Sequence, residues 1–142
     1  MANKNLFVAG VAYASVLTTE LNSLADATFS SLGSALVNST NLNLYADFSI
    51  VLASLNPTGS PFIEIHMAEL GGDGTNYDDL SDGTWVGNIR VTTGSSAKYG
   101  SLKRVPLTIG QWKPAIKNRT NVSLASSSSI LYARFYAEQN NG

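Results

Sequence analysis

The sequence predicts an all-β chain: a single antiparallel β-sandwich, jelly-roll-like, with an extended N-terminal arm. Three observations carry that reading. From about residue 44 onward, apolar and polar side chains alternate with the period of a strand that buries one face. Clusters of Gly, Pro, Asn and Asp interrupt the alternation at short intervals, which is turn chemistry. Hydrophobic residues make up 44% of the 142, enough for the core of one domain of ordinary size. The expected division is an arm over 1–26 and a sandwich over 27–142.

The elements follow in chain order. Lys4 precedes the apolar run Leu6-Phe7-Val8-Ala9-Gly10-Val11, and Ala12-Tyr13-Ala14 follows. The pattern mimics a secretion leader with an A-x-A site, but one basic residue and a short run favour an arm rich in small residues. Thr18 to Leu36 mixes a helix start at Thr19 with the Ser, Thr and Gly residues of 28–34, which are poor helix formers. A short turn or helix near 19–26 and a strand near 27–38 are expected. Phe48, Ile50 and Leu52 share one face, and Ile63, Ile65 and Met67 share another across the turn Leu55-Asn56-Pro57-Thr58-Gly59-Ser60. Two alternating runs around a turn read as a hairpin. A long acidic loop fills 70–84, and Trp85 to Thr92 resumes the alternation with Ile89 and Val91. Pro106 marks the strand 102–107 as an edge or bulge, and Pro114 marks 112–117 as an edge. Ile130 to Tyr136 is apolar on both faces, the signature of a strand that sits centrally or against a partner. Seven or eight short strands make a sandwich, with Phe48, Ile50, Leu52, Ile63, Ile65, Met67, Ile89, Val91, Leu107 and Phe135 expected inside.

Charge is sparse and unevenly placed. Only 13% of residues are charged, about half the usual ~25%. The net charge of −1 gives no overall attraction to nucleic acid or to an anionic membrane, and no run approaches the ~20 apolar residues of a membrane helix. Residues 1–89 hold one cation against nine carboxylates, a net −8, and residues 90–142 hold eight cations against one carboxylate, a net +7. Either the halves neutralise each other within one sandwich, or acidic loops of one copy meet basic loops of the next. Complementary charge of the second kind sets register and partner choice.

The chemistry-bearing residue types point away from catalysis. With no cysteine, disulfides and thiolate metal sites are excluded. The single histidine, His66, cannot begin a zinc site of three or four protein ligands, and no G-x-S-x-G elbow accompanies it. The carboxylates Asp73, Asp78, Asp79 and Asp82 share a loop, whereas an acid–base pair needs a rigid separation. Oxygen ligands for calcium are numerous there, but the spacing is not that of an EF-hand, so a solvated turn is the expectation. No catalytic residue, cofactor or metal is expected. Tyr77 and Trp85 flank the acidic loop as candidate ligand-facing aromatics, the chemistry of a glycan-binding sandwich. Three glycosylation sequons, beginning at Asn38, Asn118 and Asn121, arise readily in a chain so rich in Asn and Ser.

Three stretches resemble short structural proteins encoded by tailed bacteriophages: Leu44-Tyr45-Ala46-Asp47-Phe48, Val51 to Thr58, and Asp73-Gly74-Thr75-Asn76-Tyr77. Pro106 to Lys113 and Ile116-Lys117-Asn118 are similar too, and the likeness spans about residues 20–138. The resemblance implies a virion component, an auxiliary or decoration subunit on the capsid or a part of the tail, with no catalytic residues to carry over. Its partners would be other virion proteins and further copies of itself, with no nucleic acid and no membrane. The assembly residues expected on this reading are Leu6, Phe7, Val8, Val11 and Tyr13 of the arm, since contiguous exposed apolar residues mark contact sites. Asp73, Asp78, Asp79 and Asp82 would face Lys98, Lys103 and Arg104 of a neighbouring copy. The alternatives are a carbohydrate- or receptor-binding module of a tail, with a glycan as ligand, and a secreted adhesive sandwich.

Overall fold

The computed structural model describes residues 4–8, 12–38 and 43–141. Nine strands follow one another: β1 (Lys4–Val8), β2 (Ala14–Leu17), β3 (Leu36–Val37), β4 (Tyr45–Leu55), β5 (Phe62–Glu69), β6 (Trp85–Arg90), β7 (Ser96–Pro106), β8 (Gln111–Arg119) and β9 (Ile130–Asn141). One sheet runs β2-β9-β4-β7, with β1 on the same side of β9 as β2, and the other runs β3-β8-β5-β6. All pairings are antiparallel. Strands β2 to β9 thus have the double Greek-key order of a jelly roll.

Alternation decides which faces meet. Ala46, Phe48, Ile50 and Leu52 of β4 and Ile63 and Ile65 of β5 have no exposed surface, and Ile89 of β6 is almost as enclosed. Leu131 and Ala133 of β9 lie beside Ile50 and Phe48 in register. Trp112 of β8, 1% exposed, spans the layers, its ring 6.3 Å from Phe48 and 5.6 Å from Phe135. Met67, Leu107 and Phe135 of the expected core pack against it only partly buried.

β6 and β7 close one side of the sandwich with two glycines. A Cβ on Gly87 would stand 2.6 Å from Leu102 Cδ2, and one on Gly100 would collide with Ile89 Cγ2. The missing side chains let the two sheets approach here.

Four expectations change. β4 and β5 are not a hairpin: they belong to different sheets, and the 56–61 connection is an arch that turns their apolar faces toward each other. The sandwich also begins before residue 27. β2 pairs with β9, and Val16, Leu17 and Leu21 enter the core, so the sandwich includes the chain from Ala14 onward. Regular strand within 27–38 shrinks to β3. The preceding residues instead lie along β8 by separate bonds, Ala27 N–H to Asn118 O, Ser30 N–H to Ile116 O and Gly33 N–H to Pro114 O. That arrangement accounts for Pro114 in an interior strand. Its carbonyl faces the irregular segment, so its absent N–H falls on that side and not in the β5 ladder.

Candidate functional site

The terminal strands form the first feature. β1 pairs with β9 from Lys4↔Asn141 to Val8↔Ala137, placing Leu6, Phe7 and Val8 opposite Gln139, Glu138 and Ala137. β4 pairs with β9 only as far as Tyr45↔Tyr136. Beyond that point β1 and β9 continue as a two-stranded ribbon. Val11 lies outside the described residues.

Tyr13 belongs to a cluster on the outer face of the β2-β9-β4-β7 sheet. At its centre is Asp47, 2% exposed. Its carboxylate accepts the Arg104 backbone N–H at 2.9 Å and the Arg134 guanidinium at 3.0 and 3.1 Å, with Lys103 Nζ at 3.8 Å. Burial alone would raise the pKa of Asp47, but these donors and cations outweigh it and hold it below 3.8. Lys103 also donates to the Tyr13 hydroxyl at 3.0 Å. Arg134 stacks 4.4 Å from the Tyr13 ring centre and Arg104 4.8 Å from that of Tyr45. The bulge after Ala46 and the positive φ of Arg104, 56°, aim these groups at Asp47.

This arrangement corrects the expected basic loop. Lys98 is only 2% exposed, its ammonium capped by Thr93 O, Gly94 O and Ser96 Oγ at 3.2, 2.6 and 3.0 Å. A flexible stem lets it point inward and still find oxygens, so it presents no charge to a neighbour. Lys103 and Arg104 remain at the surface but are engaged with Asp47, Tyr13 and Tyr45.

The acidic loop is ordered by its own bonds. Asp73 accepts the Thr75 and Asn76 N–H groups at 2.9 Å and Asn76 Nδ2 at 2.8 Å, and these bonds lower its pKa. Gly71 N–H reaches Asn76 O and Asp78 N–H reaches Glu69 O, tying the loop's base together. Asp78, Asp79 and Asp82 are exposed, and Asp78 and Asp79 have no side-chain partner among the described residues. No group of three His, Asp or Glu side chains gathers closely enough to hold a metal among the described residues.

The two aromatics flanking this loop differ. The Tyr77 hydroxyl accepts a short hydrogen bond from Gln111 Nε2, and Lys113 Nζ sits 4.5 Å from its ring centre, so its ring is occupied within the molecule. Trp85 is 49% exposed, and its Nε1 donates to Asn88 Oδ1 at 2.8 Å. His66 is buried under Phe29, edge-on at 4.9 Å, because the segment along β8 covers this outer face. Its Nδ1 lies 2.9 Å from Thr84 Oγ1, and its Nε2 has no partner among the described residues.

Sequence reading missed a recess of about 410 Å³ at the opposite end of the β5–β6 hairpin, lined by Ser60, Phe62, Asn88, Arg90 and Thr93 among others. Phe62 pairs with Arg90 on one side and with Arg119 on the other, so the three residues share a face. Alternation places Arg90 outside, but the recess also needs the 59–61 turn beside it. The sequence marks a turn over 55–60 but not its position beside β6.

No family model, no curated protein and no solved structure matches this chain.

Proposed function

We propose that this jelly roll is a structural subunit of a tailed-phage virion, an auxiliary or decoration subunit of the capsid that assembles with other virion proteins and with copies of itself. The observation that carries the reading is the β1–β9 ribbon. Two strands alone are marginally stable in water, and beyond Tyr45 this pair lacks the β4 neighbour that supports the rest of β9. Addition of a strand or an apolar surface from an adjacent subunit would complete it. The virion as the setting rests on the sequence resemblance read over residues 20–138 alone. Many weak contacts repeated by symmetry give such subunits avidity.

The experiment is electron microscopy of particles reconstituted with the intact chain or with residues 2–11 deleted. Ordered copies on the particle that vanish with the deletion support the role, and undiminished attachment refutes it.

A second reading rests on one observation, the half-exposed indole of Trp85 beside an Asn88 amide. A tail module that binds a glycan would stack a sugar there. Trp85→Ala should then abolish glycan-array binding and leave particle attachment intact.

A further inference from the structure

We infer that the recess around Arg90 is an anion-recognition pocket that receives the Asp78–Asp79 carboxylates of the acidic loop from a second copy of this chain. The inference deepens the assembly reading by naming one contact between copies.

The pocket's chemistry is one-sided. Arg90 is exposed and its guanidinium has no partner among the described residues. Glu64, the nearest carboxylate in register, is bonded to Arg119 at 3.2 Å. Because Trp85 Nε1 occupies Asn88 Oδ1, the amide presents its N–H donors rather than its acceptor. The Ser60 and Thr93 hydroxyls add donors, and no lining residue is acidic. A guanidinium fork among neutral donors matches a carboxylate.

The wall is fixed before anything binds. Asn121 Nδ2 donates to Thr58 O at 2.7 Å, Thr58 N–H to Thr120 O at 3.4 Å, and Val91 N–H to Pro61 O at 3.3 Å. A pre-organised pocket loses less conformational freedom on binding.

The occupant follows from the rest of the chain. Asp73 is consumed by its own turn, and Asp82 starts the short helical turn beside His66. Asp78 and Asp79 remain as adjacent exposed carboxylates without a partner. The loop joins β5 and β6 at the Glu69–Trp85 end, whereas the recess lies at the Phe62–Arg90 end. Six residues of β6 separate them by roughly 17 Å at the usual strand rise, so a chain cannot fill its own recess. The contact therefore joins opposite ends of two copies, reciprocally in a two-fold dimer or head-to-tail in a ring or filament.

Charge reversal in the purified full-length chain tests this, with sedimentation equilibrium as the readout. Arg90→Glu alone and Asp78→Arg with Asp79→Arg should each weaken self-association at least about tenfold, and the combined variant should recover most of the loss. A wild-type chain that stays monomeric at high concentration and low salt overturns the contact, without touching particle attachment through residues 2–11. Equal weakening without recovery in the combined variant also overturns it. So does an Arg90→Glu variant that keeps self-association but loses binding to a uronate-bearing glycan, which would assign the pocket to a saccharide.

Discussion

His66 and Asp47 are both enclosed ionisable groups, and the sandwich treats them in opposite ways. The single hydroxyl hydrogen of Thr84 goes to Ser81 O at 2.8 Å. The contact to His66 therefore requires a protonated Nδ1, which leaves Nε2 a bare lone pair. Burial holds this imidazole below its ordinary 6.5, opposed by Glu64 and Asp82 and assisted by Lys117. A depressed histidine pKa means the unfolded chain binds the proton more readily, so stability is full above 6.5 and falls as pH drops through that value. Urea midpoints should decline between neutral pH and about pH 5, and His66→Asn should flatten the decline. Asp47 works at lower pH. Its pKa is depressed, so its contribution persists above 3.8 and fades only as pH falls below it. Asp47→Ala should cost about 1–3 kcal/mol in chemical denaturation, since two cations and the Arg104 backbone N–H lose a shared acceptor. A cost near zero would mean the cluster is only a surface ion pair.

Among the strands, β1 and β2 are neighbours in sequence but differ in what they do. Val16 and Leu17 of β2 are 3% and 0% exposed, so Leu17→Ala should cost about 2–5 kcal/mol. Deleting residues 2–11 should leave the cooperative melt of the sandwich in place, whereas a deletion reaching Leu21 should abolish it. Gly87→Ala tests the closed side: its new Cβ meets Leu102, and overpacking of this kind costs about 1–3 kcal/mol. A neutral result would show that β6 and β7 can separate. Much of this was legible in the chain. Strict alternation in β4, β5 and β6 selected the right inner residues, and β9, apolar on both faces, lies between β4 and its other neighbours. The alternation could not tell a hairpin from an arch, because both join two amphipathic strands through a polar turn. It set His66 on the face away from Ile63 and Ile65 and could not foresee Phe29 covering it there. Lys98 was misread because a charge reads as surface, while its ammonium finds its oxygens only once the 93–96 turn exists.

At the scale of the molecule, part of the charge split is neutralised within the sandwich, Asp47 by Arg134 and Lys103 and Glu64 by Arg119. The acidic β5–β6 loop and Arg90 stand at opposite ends of one hairpin. Of the proposed contact, the sequence singled out the acidic side but not the recess at Arg90, which depends on a turn folding beside a strand. The strand order carries one further consequence. β9 is the last of these nine strands to leave the ribosome, yet it lies between β2 and β4. A nascent chain lacking Ile130 onward has two early strands with no common neighbour, and their unpaired edges invite association with other chains. The sandwich cannot close until β9 has emerged, since long-range pairing of this sort is slow and pays its loop entropy first. Ribosome-stalled chains ending near residue 128 should remain protease-sensitive, and protection should appear in a single step once β9 has cleared the exit tunnel.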